Sequence, residues 1–276
     1  MGPIGVFDSG YGGLTVLSAI RERLPQYDYL YLGDNARAPY GTRSFDVVYE
    51  YTLEAVQELF SRGCHLVILA CNTASAKALR TIQQNDLPNL APDKRVLGVI
   101  RPSAEEIGAM SKTGHVGILA TEGTVRSNSY VLELTKFSPD IIVHQHACPM
   151  WVPLIENNRH ESEAGKQFIR EDLGALLAMD PNIDTILLAC THYPIVKHIL
   201  ENFNRNLTFV SQGPIVAEKL VDYLNRHPEI EARCSRKGRV EFLTSENVET
   251  FCSNAKTYYG SEILANHVHL GKGNSM

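Results

Sequence analysis

Two cysteines in matching surroundings offer the clearest chemistry in this 276-residue sequence. Cys71 closes the run Leu66-Val67-Ile68-Leu69-Ala70 and is followed by Asn72-Thr73-Ala74-Ser75. Cys190 closes Thr185-Ile186-Leu187-Leu188-Ala189 and is followed by Thr191-His192-Tyr193-Pro194. Each apolar run reads as a strand buried on both faces. Asn72 and Thr73 suit the N-cap of a helix that follows. A buried cysteine is ordinarily a small apolar filler, so one copy alone would mean little. Two copies point to a site with two facing thiols. One thiol can remove a proton from one face of a carbon while the other delivers a proton to the opposite face. A thiol of ordinary pKa is only about 3% ionised at neutral pH, so the base needs help, and a helix N-terminus is one source of it. Cys64, Cys148, Cys234 and Cys252 lack this setting and read as structural.

Other polar stretches offer partners for a small anionic molecule. Asp8-Ser9-Gly10-Tyr11-Gly12-Gly13 is a glycine-rich turn running into a helix, where backbone N–H groups can approach a carboxylate. It matches neither dinucleotide nor P-loop signature, so no nucleotide is implied. Asp34 to Thr42 is a polar loop dense in distinct functional groups. Strand alternation would put His144, His146 and Cys148 on one face, as in a zinc site, but no fourth ligand is evident and no metal is expected. His267-Val268-His269 is a weaker version of the same signal. No lysine stands in a pyridoxal phosphate setting.

The elements that must position these groups follow from periodicity. Ile4 to Phe7 reads as a strand, and Leu14, Leu17, Ile20 and Leu24 mark a helix face that Pro25 ends. Tyr27 to Leu32 is a second strand, and Ser44 caps a helix to Ser61 with Gly63 as its stop. A helix from Cys71 to about Gln84, a linker over 86–93 and a strand from Arg95 to Ile100 follow. Then the pattern restarts. Pro102 and the capping box Ser103-x-x-Glu106 open a helix, and the strand His115 to Leu119 leads into Thr121-Glu122-Gly123-Thr124. The strand Ile141 to His146, helix through Met179 and the Cys190 device come next. A helix, the strand Leu207 to Val210, a helix opened by Ser211-Gln212-Gly213-Pro214, the strand Gly238 to Thr244 and a helix from Glu246 to Tyr258 finish the reading. Alternation of this kind predicts an α/β fold with parallel sheets flanked by helices. The chain is expected to form a discontinuous first lobe, 1–98 and 210–276, and a second lobe, 99–209. Ligands of open α/β sheets bind at the carboxyl ends of strands, which places both cysteines on one cleft between facing lobes.

Composition narrows the classes. An apolar content of 44% supports a substantial core, and a formal charge of −5 with no dense basic stretch argues against nucleic acid. No segment reads as a signal peptide or membrane span, and Val6 occupies the position a myristoylation signal reserves for Ser or Thr. A cytoplasmic location with reduced thiols and no membrane partner is expected.

The motifs together resemble one family. Gly5-Val6-Phe7-Asp8-Ser9-Gly10-x-Gly12-Gly13-Leu14-Thr15-Val16, Gly33-Asp34-Asn35-Ala36-Arg37-Ala38-Pro39-Tyr40-Gly41 and the two cysteine stretches are similar to the signatures of glutamate racemases, in the aspartate/glutamate racemase superfamily. They span most of the chain in that family's order, and nothing after about Gly213 adds to the match. The resemblance implies two pseudo-symmetric lobes and cofactor-independent conversion of L-glutamate to D-glutamate for peptidoglycan. It implies Cys71 and Cys190 as acid/base thiols, with Asp8 and His192 as assistants and Glu156 near the second cysteine. Ser9, Pro39, Tyr40, Gly41, Asn72, Thr73, Thr121 and Thr191 would line the substrate site. A homodimer is the working expectation for the assembly.

Rival readings differ in what they ask of the thiols. A single-cysteine hydrolase or decarboxylase on this fold would leave the second device unused. A non-catalytic two-lobed binding module would explain cleft and glycine turns but not a duplicated thiol. An aspartate racemase would share the mechanism with a shorter substrate.

Overall fold

Strands without polar alternation must be covered on both faces, and the chain meets that demand with two parallel sheets. The computed structural model describes residues 1–271. The first sheet holds β1 (Ile4–Asp8), β2 (Tyr29–Gly33), β3 (Leu66–Leu69), β4 (Arg95–Gly98), β9 (Val240–Thr244) and β10 (Ala265–His267), in the order β10-β9-β2-β1-β3-β4. The second holds β5 (His115–Ala120), β6 (Ile142–Ala147), β7 (Thr185–Ala189) and β8 (Thr208–Ser211), in the order β6-β5-β7-β8. All residues of β1, β2, β3 and β7 are buried, as their uninterrupted apolar character requires.

The internal echo of the sequence has a topological meaning. β2-β1-β3-β4 and β6-β5-β7-β8 are the same arrangement: the first strand of each set lies between its second and third. Chain order reverses direction beside β1 and again beside β5, which makes each a topological switch point where side chains open into a crevice. Cys71 follows β3 and Cys190 follows β7, the equivalent strands. Asp8 ends β1, and Thr121 follows its counterpart β5.

Helices cover the sheets and tie them together. The helix Gln212–Arg226 leaves the second sheet directly after β8 and packs along Gly13–Arg23 of the first lobe and against Ile100–Met110. The ladder Leu188↔Ser211 keeps β8 in the second sheet through Ser211, so the expected lobe boundary at 209/210 falls within a strand.

Several element ends differ from the sequence reading, for local reasons. The strand at Arg95 stops at Gly98 and a helix begins at Ile100. Pro102 needs no N–H partner in a first turn, so it does not have to open the helix. The capping box does not form: Ser103 sits inside the helix with its hydroxyl donating to the Val99 carbonyl, and Glu106 pairs with Lys219. The helix expected from Cys71 to Gln84 is interrupted, as Asn72–Lys77, Leu79–Thr81 and a π-helical turn over Ile82–Asp86, and the linker over 86–93 contains the turn Leu87–Leu90. The short edge strand β10 had no readable periodicity in three residues.

Candidate active site

Each cysteine is placed by the strand before it and the turn after it. Cys71 is itself the cap of the helix Asn72–Lys77, its sulfur accepting the Ala74 N–H at 3.5 Å, in place of the Asn or Thr cap expected. The Ser9 hydroxyl lies 3.5 Å from the same sulfur. On the other lobe His192 Nδ1 stands 4.0 Å from the Cys190 sulfur, and His192 Nε2 lies 2.9 Å from Glu156 Oε1. Both thiols are buried, at 6% relative exposure each, and both stay free of disulfides. They are near enough that charge on Cys190 acts on Cys71.

Burial sets the electrostatics. Removal from water pushes the Cys71 thiol up to about 12, and the Asp8 carboxylate adds to the rise. The Ser9 hydroxyl and the Ala74 N–H oppose it without prevailing. Burial thus overrides the helix N-terminus, and Cys71 rests as a protonated thiol. Burial also opposes charge on His192. The Cys190 sulfur and the Glu156 carboxylate outweigh it, however, and hold the imidazole up at about 10. A protonated imidazole donates from both nitrogens, which fits one acceptor on each side. Asp8 is raised by burial, against the pull of His192 and the N–H groups of Gly13 and Gly10. One side of the cleft therefore offers a proton, and the other holds positive charge beside its sulfur.

Contacts between the lobes close over this pair. Thr191 donates to Asp8 Oδ1 at 3.5 Å, and Thr15 donates to the Thr191 carbonyl at 3.0 Å. Thr73 and Thr121 hydroxyls meet at 3.0 Å. Gly41 accepts the Gly123 N–H at 2.9 Å and lies against Thr121. Gly12 packs so closely that a Cβ there would overlap the Thr191 hydroxyl and the His192 ring.

The structure brings most of the expected residues into this region but gives some of them other partners. The polar loop 34–42 is largely wired to itself: buried Asp34 accepts from Arg37, Tyr40 and Ser245. Tyr40 is buried with its hydroxyl committed to Asp34, whereas Pro39, after a cis peptide bond, is exposed. The Asn72 amide bonds to Tyr130 and Gln212 at 2.6 Å each. Sequence reasoning missed Tyr130, Gln212 and Ser103 in this cluster, because their meeting depends on lobe packing. It also missed Tyr258, whose ring meets His192 edge-on at 5.3 Å from the C-terminal helix Val248–Tyr259.

The zinc reading dissolves into two separate clusters. His144 joins His115 at Asp180, with His115 Nδ1 2.5 Å and His144 Nε2 3.1 Å from Asp180 Oδ2. His146 lies 2.9 Å from Asp172, which also accepts from Trp151, and the Cys148 thiol donates to the His146 carbonyl. These are hydrogen-bond distances from imidazole to carboxylate, shorter than the separation of ligands around a zinc ion.

The fold defines the class. Residues 13–217 match the Asp/Glu/hydantoin racemase family, and the chain belongs to it. Several relatives within that family carry the name glutamate racemase. The one from Geobacter metallireducens is 38% identical over 271 residues, spanning 97% of this chain and 90% of that protein. Glutamate racemase isoform RacE1 from Bacillus anthracis superposes with a TM-score of 0.88 at 33% identity, covering 98% of both chains. The Francisella tularensis glutamate racemase, solved in complex with D-glutamate, gives 0.85 at 28% identity, covering 100% of this chain and 99% of that one.

Proposed function

We propose that this protein interconverts L- and D-glutamate without a cofactor, using Cys71 and Cys190 as opposed acid and base, and so supplies D-glutamate for peptidoglycan. The observation that carries the reading is the placement of two buried thiols at equivalent strand ends of two matched sheets. The names of these relatives, and the D-glutamate bound to the Francisella tularensis protein, support glutamate as the substrate over aspartate. Chemistry that needs two free thiols belongs in a reducing compartment, and we place the protein in the cytoplasm. Among the described residues no helix is long and apolar enough to cross a membrane. We take the first lobe as 1–98 with the chain after β8, and the second as 99 through β8.

In the direction that starts from L-glutamate, Cys190 is the base. Its thiolate takes the Cα proton of L-glutamate, the electron pair stays on Cα, and the Cys71 S–H delivers its proton to the opposite face. The product is D-glutamate, with Cys71 now the thiolate and Cys190 the thiol, so the reverse reaction runs through the same groups with roles exchanged. Asp8 assists on the Cys71 side and His192, held by Glu156, on the Cys190 side. The carbanion has no electron-sink cofactor, so positioned donors and exclusion of water must stabilise it. Ser9, Thr73, Thr121 and Thr191 hydroxyls, with backbone N–H groups at the helix starts after Ser9 and Cys71, are the donors for the two substrate carboxylates. Pro39, Tyr40 and Gly41 contribute loop backbone and surface.

The direct test incubates enantiopure glutamate and aspartate in deuterated water and follows optical rotation and Cα exchange. Loss of rotation with glutamate, and much less with aspartate, is the expected result. Exchange without inversion would leave only a one-base reaction. Turnover should also persist after exhaustive chelation with EDTA. Activity lost on chelation and restored by zinc would return the His115–His144–Asp180 group to consideration.

Gly12 provides a structural check on the closed cleft. Gly12→Ala should lower kcat/KM by on the order of 10²-fold, because shifting Thr191 and His192 by about 1 Å misplaces the second thiol's partners. Its circular dichroism should remain that of the wild type. An alanine variant with wild-type kinetics would show that Gly12 is not held against His192 during turnover.

A further inference from the structure

Asn72 follows Cys71 directly, so its Cα lies about 3.8 Å from that of the thiol's residue. Its side chain is held by Tyr130 and by Gln212 at the start of the helix Gln212–Arg226. Tyr130 donates to Asn72 Oδ1 at 2.6 Å, and Asn72 Nδ2 donates to Gln212 Oε1 at 2.6 Å. Gln212 Nε2 in turn donates to the Tyr130 hydroxyl at 2.6 Å and to Ser103 Oγ at 2.8 Å. Ser103 donates to the Val99 carbonyl at 2.8 Å. Tyr130 thus gives to Asn72 and receives from Gln212, and the three close a ring. Tyr130 and Ser103 are fully buried, and Asn72 and Gln212 are 3% exposed.

We infer that the ring Asn72–Tyr130–Gln212 is a positioning device that sets the Cys71 thiol at its working distance from the second lobe and hence from Cys190. An apolar contact at this junction would fill the same space but tolerate sliding. A directional ring of three hydrogen bonds favours one arrangement, and partial loss leaves a costly unpaired polar group. The lobes need that restraint. Each sheet carries one of the two thiols, and the proton transfers tolerate little misplacement. Gln212 opens the helix Gln212–Arg226, Tyr130 lies in Ser129–Phe137 and Ser103 in Ile100–Met110, so three elements jointly hold the residue beside Cys71. Asn72 accordingly also serves through its neighbour, Cys71.

This inference rests on the two-thiol reading, and the test separates the two. Racemisation needs both thiols aligned at once, whereas elimination from β-chloroalanine needs one. In the elimination a thiolate takes the Cα proton, the Cα–H pair becomes the Cα=Cβ bond, and chloride leaves with the Cβ–Cl pair. Tyr130→Phe should lower kcat for glutamate racemisation ~10-fold or more in both directions, with a smaller change in KM. Elimination of chloride should stay within about threefold of wild type, so the ratio of racemisation to elimination falls. Gln212→Glu, which keeps the volume but removes the donor to Tyr130 and Ser103, should shift the ratio the same way and serves if Tyr130→Phe does not fold. Loss of folded protein alone would reduce both reactions equally. Folded variants with a wild-type ratio overturn the inference while leaving the racemase intact. A wild type that eliminates but never racemises overturns the two-thiol reading first.

Discussion

Replacing either active-site cysteine by serine should nearly abolish racemisation while leaving a one-sided residual chemistry. A hydroxyl is a far weaker acid than a thiol and is scarcely ionised at neutral pH, so the serine can neither take nor return the Cα proton at a useful rate. The loss should be on the order of 10³-fold or more in kcat/KM in both directions, since each direction uses both groups. The two variants are nonetheless distinguishable. Each enantiomer presents its Cα proton to one thiol only: by family resemblance, D-glutamate to Cys71 and L-glutamate to Cys190. A β-substituted analogue that eliminates a leaving group needs one base and no proton return. Cys71→Ser should therefore still process the L-handed analogue, and Cys190→Ser the D-handed one. In wild type, product formed in deuterated water should carry deuterium while early residual substrate remains protiated. Two variants that process the same hand, or either one racemising near the wild-type rate, would refute the paired-thiol mechanism.

The assistants should act unequally on the two directions. His192 stands beside Cys190 and Asp8 on the Cys71 side. His192→Asn and Asp8→Asn should each cost on the order of 10²-fold in kcat for one direction, and less for the other. The ratio of kcat/KM values stays fixed, because the equilibrium constant between enantiomers is one. Stability should move in opposite senses. Asp8 has its folded pKa raised from 3.8 by burial, so the stability it contributes is complete below that value and is lost as pH rises through the folded pKa. Ionised Asp8 is thus a burden at neutral pH. Asp8→Asn should raise Tm at pH 7 and give no gain below pH 3.8. His192, raised from 6.5 to about 10, contributes stability that is complete below 6.5 and lost as pH rises through about 10. His192→Asn should therefore lower Tm most at or below pH 6.5, with the deficit shrinking toward pH 10. A variant more active yet less stable at Asp8, or a His192 deficit that grows with pH, would contradict these assignments. The rise expected for Asp8→Asn follows a common pattern, in which a site tuned for chemistry gives up stability.

Buried parallel strands were legible from the sequence because uninterrupted apolar runs ending in a small residue and a polar turn leave little alternative. Leu66–Leu69 and Thr185–Ala189 were readable for that reason, and with them the two thiols. The restart of the pattern after Ile100 likewise foretold two sheets, since each set of strands needs its own helical cover. Local sequence carries such information because the strand period and turn chemistry act over a few residues. What only the tertiary structure decided was partnership across the lobes. Alternation correctly set His144 and His146 along β6, but the carboxylates that claimed them lie at Asp180 and Asp172, far along the chain. That Tyr130 and Gln212 would hold the Asn72 side chain, with Ser103 behind Gln212, was not readable either. The state of Cys71 was also invisible: a helix start suggested an acidic thiol, yet burial against Asp8 made it a protonated one. Desolvation depends on everything packed around a group, and no window of sequence contains that.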